Sequence, residues 1–310
     1  VGTCSEKLIV SNAGSDSLSI IDMKENRKIE EIYILSLINK NKNKNLSLND
    51  DRIGPHHIVK SNSDTIYSVN SYDNSIYKIN LKNKEIENVV FVGRFPSHME
   101  KVENYIYVTN SDSNSVTIID DKDFSILENI PVGERPHDIK IDKANDVIYV
   151  TNSGGYSIDI INIKKNTNKR VTLDCNPLNL YLSKNIMFIL CYASNGVIKS
   201  KIKALNLSDG SIIKDIEVDG VIVDMIYLEH IGIIYVTNAE NGCLYKIDFE
   251  NGYIINKYNI GGMLNNIICI RNKLYITDAL NNKVLVFDYN RGEITCNIDV
   301  GIEPNGLLII

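Results

Sequence analysis

Four of the five histidines in this 310-residue chain stand one or two residues after a proline: His56 and His57 after Pro55, His98 after Pro96, and His137 after Pro136. Asp138 follows His137, and Asp224 occupies the matching place further along the chain. A neutral imidazole offers a lone pair and a carboxylate adds charge, the mixture that zinc, nickel and copper sites use. His56, His98, His137 and Asp138 are therefore the candidate ligands for a divalent metal that would polarise a carbonyl or activate water. A separation of about 40 residues is not in itself a ligand motif. Two other readings stand beside the metal: the same groups form a small-molecule or peptide site, or they bond one another and channel water in a narrow polar mouth. No P-loop, strand-to-helix GxGxxG, HExxH or GxSxG motif is present. The six cysteines (Cys4, Cys175, Cys191, Cys243, Cys269 and Cys296) are scattered singly without CxxC, the usage of free thiols in a reducing compartment.

The elements that must position these groups are repeats. YIYVTNSDSNSVTIID (105–120) and VIYVTNSGGYSIDIIN (147–162) share a tight apolar strand, a polar turn and a second strand ending in Asp or Asn. Further copies begin at residues 7, 65, 233 and 273, and a degenerate one, IMFILCYASNGVIKSKIKALN, spans 186–206. Period-2 alternation with Asn, Asp, Ser and Gly between the runs reads as a hairpin, and helical periodicity is absent. A short strand opened by Gly and often Pro precedes most hairpins, and a further strand follows each, giving four antiparallel strands per unit. Seven such units predict an all-β, seven-bladed β-propeller over residues 1–310, one domain. The chain opens on a hairpin and finishes on the inner-strand segment VGIEPNGLLII, so the N- and C-terminal segments are expected to pair in one blade.

In that fold the inner strands converge on a central channel, and the two positions after each proline equivalent line its mouth. The predicted ligand-binding residues are His56, His57, His98, His137, Asp138, Asp224, Asn265 and Asn305, with Leu178, Asn179, Met225 and Asn266 at neighbouring positions. His230 falls on the opposite face. Two insertions land on the mouth face. Ser36–Arg52 carries Lys40, Lys42 and Lys44, a composition that cannot bury a core and reads either as a solvated, tolerated insertion or as a lid; the longer hairpin of the fifth unit carries Lys199, Lys201 and Lys203. Together they suggest an anionic ligand. The Thr-Asn pairs closing the second strands read as structural, the Asn bonding the turn backbone. The Tyr before them reads as blade packing with its hydroxyl at the surface.

The tetrapeptide YVTN at 107–110, 149–152 and 235–238, with VGxxP at 132–136 and 300–304, resembles the YVTN-repeat (YncE-like) family of seven-bladed propellers along essentially the whole chain. The resemblance implies a binding or scaffold propeller that presents its histidine-rich mouth to a ligand or partner; members are commonly exported or surface-associated. Resembling propellers include metal-dependent lyases and lactone hydrolases, the alternative function. The fifth unit departs from the pattern, with Leu190 and Cys191 where others have Thr and Asn.

A net charge of -6 and a pI near 5.5 argue against nucleic acid and anionic membranes as partners. No apolar run is long enough to span a bilayer, and no leader precedes the first repeat. The expected partner is a protein, a peptide or a small anion bound on the loop face by a monomer. The expected address is the cytoplasm, with export after removal of a leader as the alternative. No cofactor beyond the candidate divalent metal is implied.

Overall fold

The computed structural model describes residues 6–40, 52–165, 167–194 and 198–310. They form seven four-stranded antiparallel sheets, and every blade but the first takes its strands in chain order from the inside outward. Blade four, for example, runs through Pro136–Asp142, Val147–Asn152, Ser157–Asn162 and Thr167–Thr172. Each inner strand touches the next, and the last, Pro304–Ile309, touches Pro55–Lys60, so the ring is closed.

Closure happens inside blade one. Pro304–Ile309 pairs antiparallel with Lys7–Asn12, placing Leu8 opposite Ile309 and Val10 opposite Leu307. Three strands of this blade come from the start of the described chain and one from its end, as the sequence predicts.

Burial explains which strands lie where. The second strand of each blade is buried almost throughout because sheets cover both its faces; Val147–Asn152 and Ile233–Asn238 are exposed only in part, at their first residues. Outer strands such as Ser125–Pro131 and Tyr253–Asn259 are mostly exposed. The described residues hold seven apolar clusters, each lying between two neighbouring blades. Tyr107, Val116, Ile139 and Ile148 join blades three and four, for instance. The core is thus spread around the ring, as the repeat argument requires.

Turn chemistry matches the repeat. The Asp or Asn ending the third strand caps the turn after it: Asp120 Oδ1 accepts from Lys122 N at 2.8 Å and Asp123 N at 3.0 Å, and Asp22 does the same for Lys24 and Glu25.

Two expectations need correction. A helix, Ile34–Lys40, opens the long insertion and buries Ile34 and Leu37 against the cluster between blades one and two. Ile34, Leu37 and Ile38 recur at helical spacing, a signal too short to register as periodicity. Lys42 and Lys44 lie outside the described residues, as does the side chain of Lys40. The fifth-blade lysines are likewise no free basic loop. They sit on the strand Ile198–Asn206, where Lys203 bonds Asp215 at 2.6 Å and Asp174 at 3.0 Å, and Lys199 reaches Glu217.

Candidate functional site

The proline-equivalent positions sit on a bulge. Every inner strand shifts register against its second strand just after that residue, between Pro55 and His57 in blade two and between Pro136 and Ile139 in blade four. A bulge breaks strict alternation. Two consecutive side chains therefore turn toward the next inner strand instead of to opposite faces. His56 Nδ1 lies 3.2 Å from Ser97 O, while His57 Nδ1 accepts from Met99 N at 3.3 Å. In blade six the bulge follows Ile222, which pairs with Asn238. The two mouth positions there are Val223 and Asp224, and Met225, expected at the mouth, is a core residue.

The Thr of the Thr-Asn pair fixes these bulges from behind. Thr109 Oγ1 donates to His137 O at 2.8 Å, Thr151 Oγ1 to Leu178 O at 2.7 Å and Thr237 Oγ1 to Asn265 O at 2.6 Å; Ser11 does the same to His56 O at 3.0 Å. Five second strands, Thr277 in blade seven included, thus hold the mouth residue of the next blade, whereas blades two and five have Val69 and Leu190 at this place. The Asn mostly reaches across to third-strand side chains rather than to turn backbone: Asn152 Nδ2 donates to Ser157 Oγ and Asp159 Oδ2. A Cβ on Gly133 would stand 2.5 Å from the Asn152 side chain, which is why a glycine opens the strand. In blade five Cys191 takes the Asn place and lies in one apolar cluster with Cys175. Of the tyrosines, Tyr67 bonds Ser61 and Asp121, whereas the Tyr235 hydroxyl is buried without a partner, contrary to expectation.

Two chambers share His98 and Asn179. The upper, 180 Å³, is lined by His56, His98, His137, Asn179, Asn265 and Asn305. The lower, 390 Å³, includes His57, Asp138, Asp224 and Lys140. All eight predicted residues thus line one chamber or the other. His230 lies in the turn Glu229–Ile231 between the first two strands of blade six, on the opposite face, as expected. Outside the upper chamber a 440 Å³ groove runs over Phe95, Arg135, Tyr156 and Tyr192 and meets the chamber at His56 and His137.

The histidines form a contact chain, with ring centroids 5.6 Å apart for His56–His98, 4.9 Å for His57–His98 and 4.9 Å for His98–His137. His98 Nδ1 lies 3.0 Å from His137 O and His137 Nδ1 3.2 Å from Leu178 O. A carbonyl only accepts, so Nδ1 of His56, His98 and His137 carries the hydrogen and Nε2 is left with the lone pair. Burial opposes charging any of them. It pulls His56 down to about 4, with His137 adding to the effect, and holds His57 and His98 well below the usual imidazole range, each with its neighbouring histidines contributing. His137 is also lowered by burial, although Asp138, Leu178 O and Asn179 favour its charged form.

Lower in the channel Lys140 Nζ lies 3.2 Å from Asp138 and 3.4 Å from Glu100. Burial works against its charge, but the two carboxyl groups outweigh burial and raise its pKa. Burial pushes Asp224 up to about 7, despite N–H donors from Ile267 and Met225. Lys140 and Glu100 were missed by the sequence reading. The signal was present: both stand two residues beyond a mouth position, on the same face of a strand with period 2.

Asp138 and Asp224 do the same work in two blades. Each accepts its following N–H through Oδ1, at 2.8 Å, and clasps the next blade through Oδ2, from Leu180 N at 2.8 Å and Ile267 N at 3.0 Å. Their oxygens are largely committed to backbone. Among the described residues no three His, Cys, Asp or Glu side chains are grouped so as to hold a metal ion. The predicted set His56, His98, His137 and Asp138 thus lines the channel without forming a ready coordination sphere.

No protein-family model matches the chain, and no curated protein matches it. Solved structures do. A putative 6-phosphogluconolactonase from Bacteroides fragilis superposes with a TM-score of 0.75 at 16% identity, covering 100% of this chain and 99% of its own. A protein of unknown function from Desulfotomaculum acetoxidans gives 0.77 at 12%, with 98% of each chain covered. Apo AztD from Citrobacter koseri gives 0.64 at 15%, covering 99% and 98%. At these identities the likeness establishes the propeller fold. No helix among the described residues is long and apolar enough to cross a membrane.

Proposed function

We propose that this protein is a binding propeller that receives a small ligand, or the end of a longer one, in the histidine-lined mouth. The observation that carries this reading is the continuity of the 440 Å³ groove with the 180 Å³ chamber at His56 and His137, beside which Asn179 Oδ1 is buried without a hydrogen-bond donor. Buried polar atoms are normally paired, so an unpaired one on the wall of a polar chamber calls for something that pairs it. The chamber takes about six water-sized groups at roughly 30 Å³ each. That favours a small molecule or a chain end over a folded partner.

An anionic ligand, the partner class the lysines suggested, loses its support: the fifth-blade lysines are paired with carboxylates, and Lys42 and Lys44 lie outside the described residues. The alternative of a metal-dependent lyase or lactone hydrolase has one feature in its favour, the Nδ1-to-carbonyl bonds that commonly orient metal-bound histidines. Against it stands the lack, among the described residues, of any three grouped ligands, so no reaction step is assigned. The resemblance to YVTN-repeat propellers fits the binding reading and rests on the repeated motifs.

The test is calorimetric titration of the purified protein with fractionated small-molecule extracts, run in parallel on a His98→Phe variant. Saturable binding that the variant loses is expected. Binding that survives it, or no binding from any fraction, would remove the mouth as the site. Elemental analysis of untagged protein separates the alternative: stoichiometric zinc, nickel or copper lost in the same variant would favour the metal reading.

A further inference from the structure

The polarity of the upper chamber narrows the ligand, given that the mouth binds one at all. His56, His98 and His137 each spend their Nδ1 hydrogen on a carbonyl of the next blade, at 3.2, 3.0 and 3.2 Å. What they present to the chamber is Nε2, an acceptor. Asn179 is 9% exposed; its Nδ2 is fixed on Val223 O, so its Oδ1 is the free end, buried and without a donor. Asn179 is close enough to His137 to favour its charged form, so the neutral pair is short of a hydrogen that a donor would supply. Among the described residues no lysine or arginine lines this chamber.

The adjoining chamber is also short of positive charge. Its one cation, Lys140, is already shared by Asp138 and Glu100, and Asp224 adds a third carboxyl group. Outside, Phe95, Tyr156 and Tyr192 line the approach, and aromatic faces attract cations. Arg135, also in the groove, is turned toward Asp112 at 3.9 Å.

We propose that the upper chamber is a site for a protonated primary amine, its three N–H groups shared, one of them bifurcated, among four acceptors: Nε2 of His56, His98 and His137 and Asn179 Oδ1. An ammonium carries three donors and no acceptor, which complements a chamber of acceptors. A carboxylate or phosphate would place lone pairs against lone pairs.

Ethylammonium, tetramethylammonium, ethanol and acetate, titrated separately into the full chain, test this, with imidazole nitrogens followed by long-range nitrogen–proton NMR. Ethylammonium is expected to saturate and to shift Nε2 of all three histidines. Asn179→Leu should weaken it at least about tenfold, the loss of one hydrogen bond to a charged group. Asn179→Asp, which adds charge at Oδ1 and gives up the Nδ2 bond to Val223 O, should still tighten it. That second variant keeps the inference open to refutation if Asn179→Leu fails to fold. Equal binding of tetramethylammonium would overturn N–H donation. Acetate binding in place of ethylammonium would overturn the amine class while leaving the mouth a binding site. Silence from all four probes overturns the amine site, and the extract titration then decides whether the mouth binds anything.

Discussion

At the scale of single residues, the channel groups set opposing pH dependences. His56, His57, His98 and His137 have lowered folded-state pKa values, so their stabilising effect is complete above the unfolded value of 6.5 and is lost as pH falls, for His56 through about 4. Asp224 runs the other way. Its pKa rises from 3.8 to about 7, so its contribution is complete below 3.8 and lost as pH rises through 7. Burial also raises Glu100 and, outside the channel, Asp73, so four histidines stand against three carboxyl groups and predict a melting temperature that climbs from pH 4 to 6.5. Asp224→Asn, which removes one of the opposing contributions, is expected to make that climb steeper. Calorimetry at pH 4.5, 5.5, 6.5 and 7.5 checks it, and an unchanged slope would mean that Asp224 titrates as an ordinary carboxyl group.

Between elements, specificity comes from polar bonds that cross blade boundaries. Thr151 Oγ1 donates to Leu178 O and accepts from Asp138 N at 2.8 Å, so one hydroxyl ties two blades and a mouth residue. Thr151→Val is expected to destabilise by about 1–3 kcal/mol, since it strands buried backbone groups, while Thr151→Ser retains most of the bond. Urea unfolding measures both. Asp159 is fully buried and accepts from Gly133 N, Asn152 Nδ2 and two Arg170 nitrogens. Asp159→Ala therefore leaves several donors unpaired and should cost about 3–5 kcal/mol, more than loss of the half-exposed Arg170. These bonds also show why the repeat motif looks as it does. Thr serves the next blade, Asn serves its own third strand, and the opening glycine makes room for that Asn.

For the whole molecule, the decisive bond is the pairing of Pro304–Ile309 with Lys7–Asn12. Truncation after residue 303 would expose a buried strand edge. It is expected to lower the melting temperature steeply and to drive association on gel filtration, and a synthetic peptide of residues 300–310 should reverse both. Unaltered melting would mean that six blades and an open edge suffice. The seven blades, their four strands and this closure were all legible in the chain, because strand periodicity and turn residues are local properties repeated seven times. The positions of the mouth residues were legible too, since each follows a proline equivalent by a fixed step; Met225 was misassigned because blade six has Ile222 where five blades have proline, which left the step without a marker. The helix Ile34–Lys40 escaped because seven residues give less than two turns of pattern. Sequence alone determined the ring and which residues fall at the mouth positions, for those follow from strand patterning and a fixed step within each repeat. Tertiary structure alone decided that consecutive residues such as His56 and His57 both turn inward, that Lys140 and Glu100 join them, and that three imidazoles present acceptors. Those outcomes depend on a bulge and on carbonyls of the next blade, partners some 40 residues away along the chain, whose distance and direction no local pattern encodes.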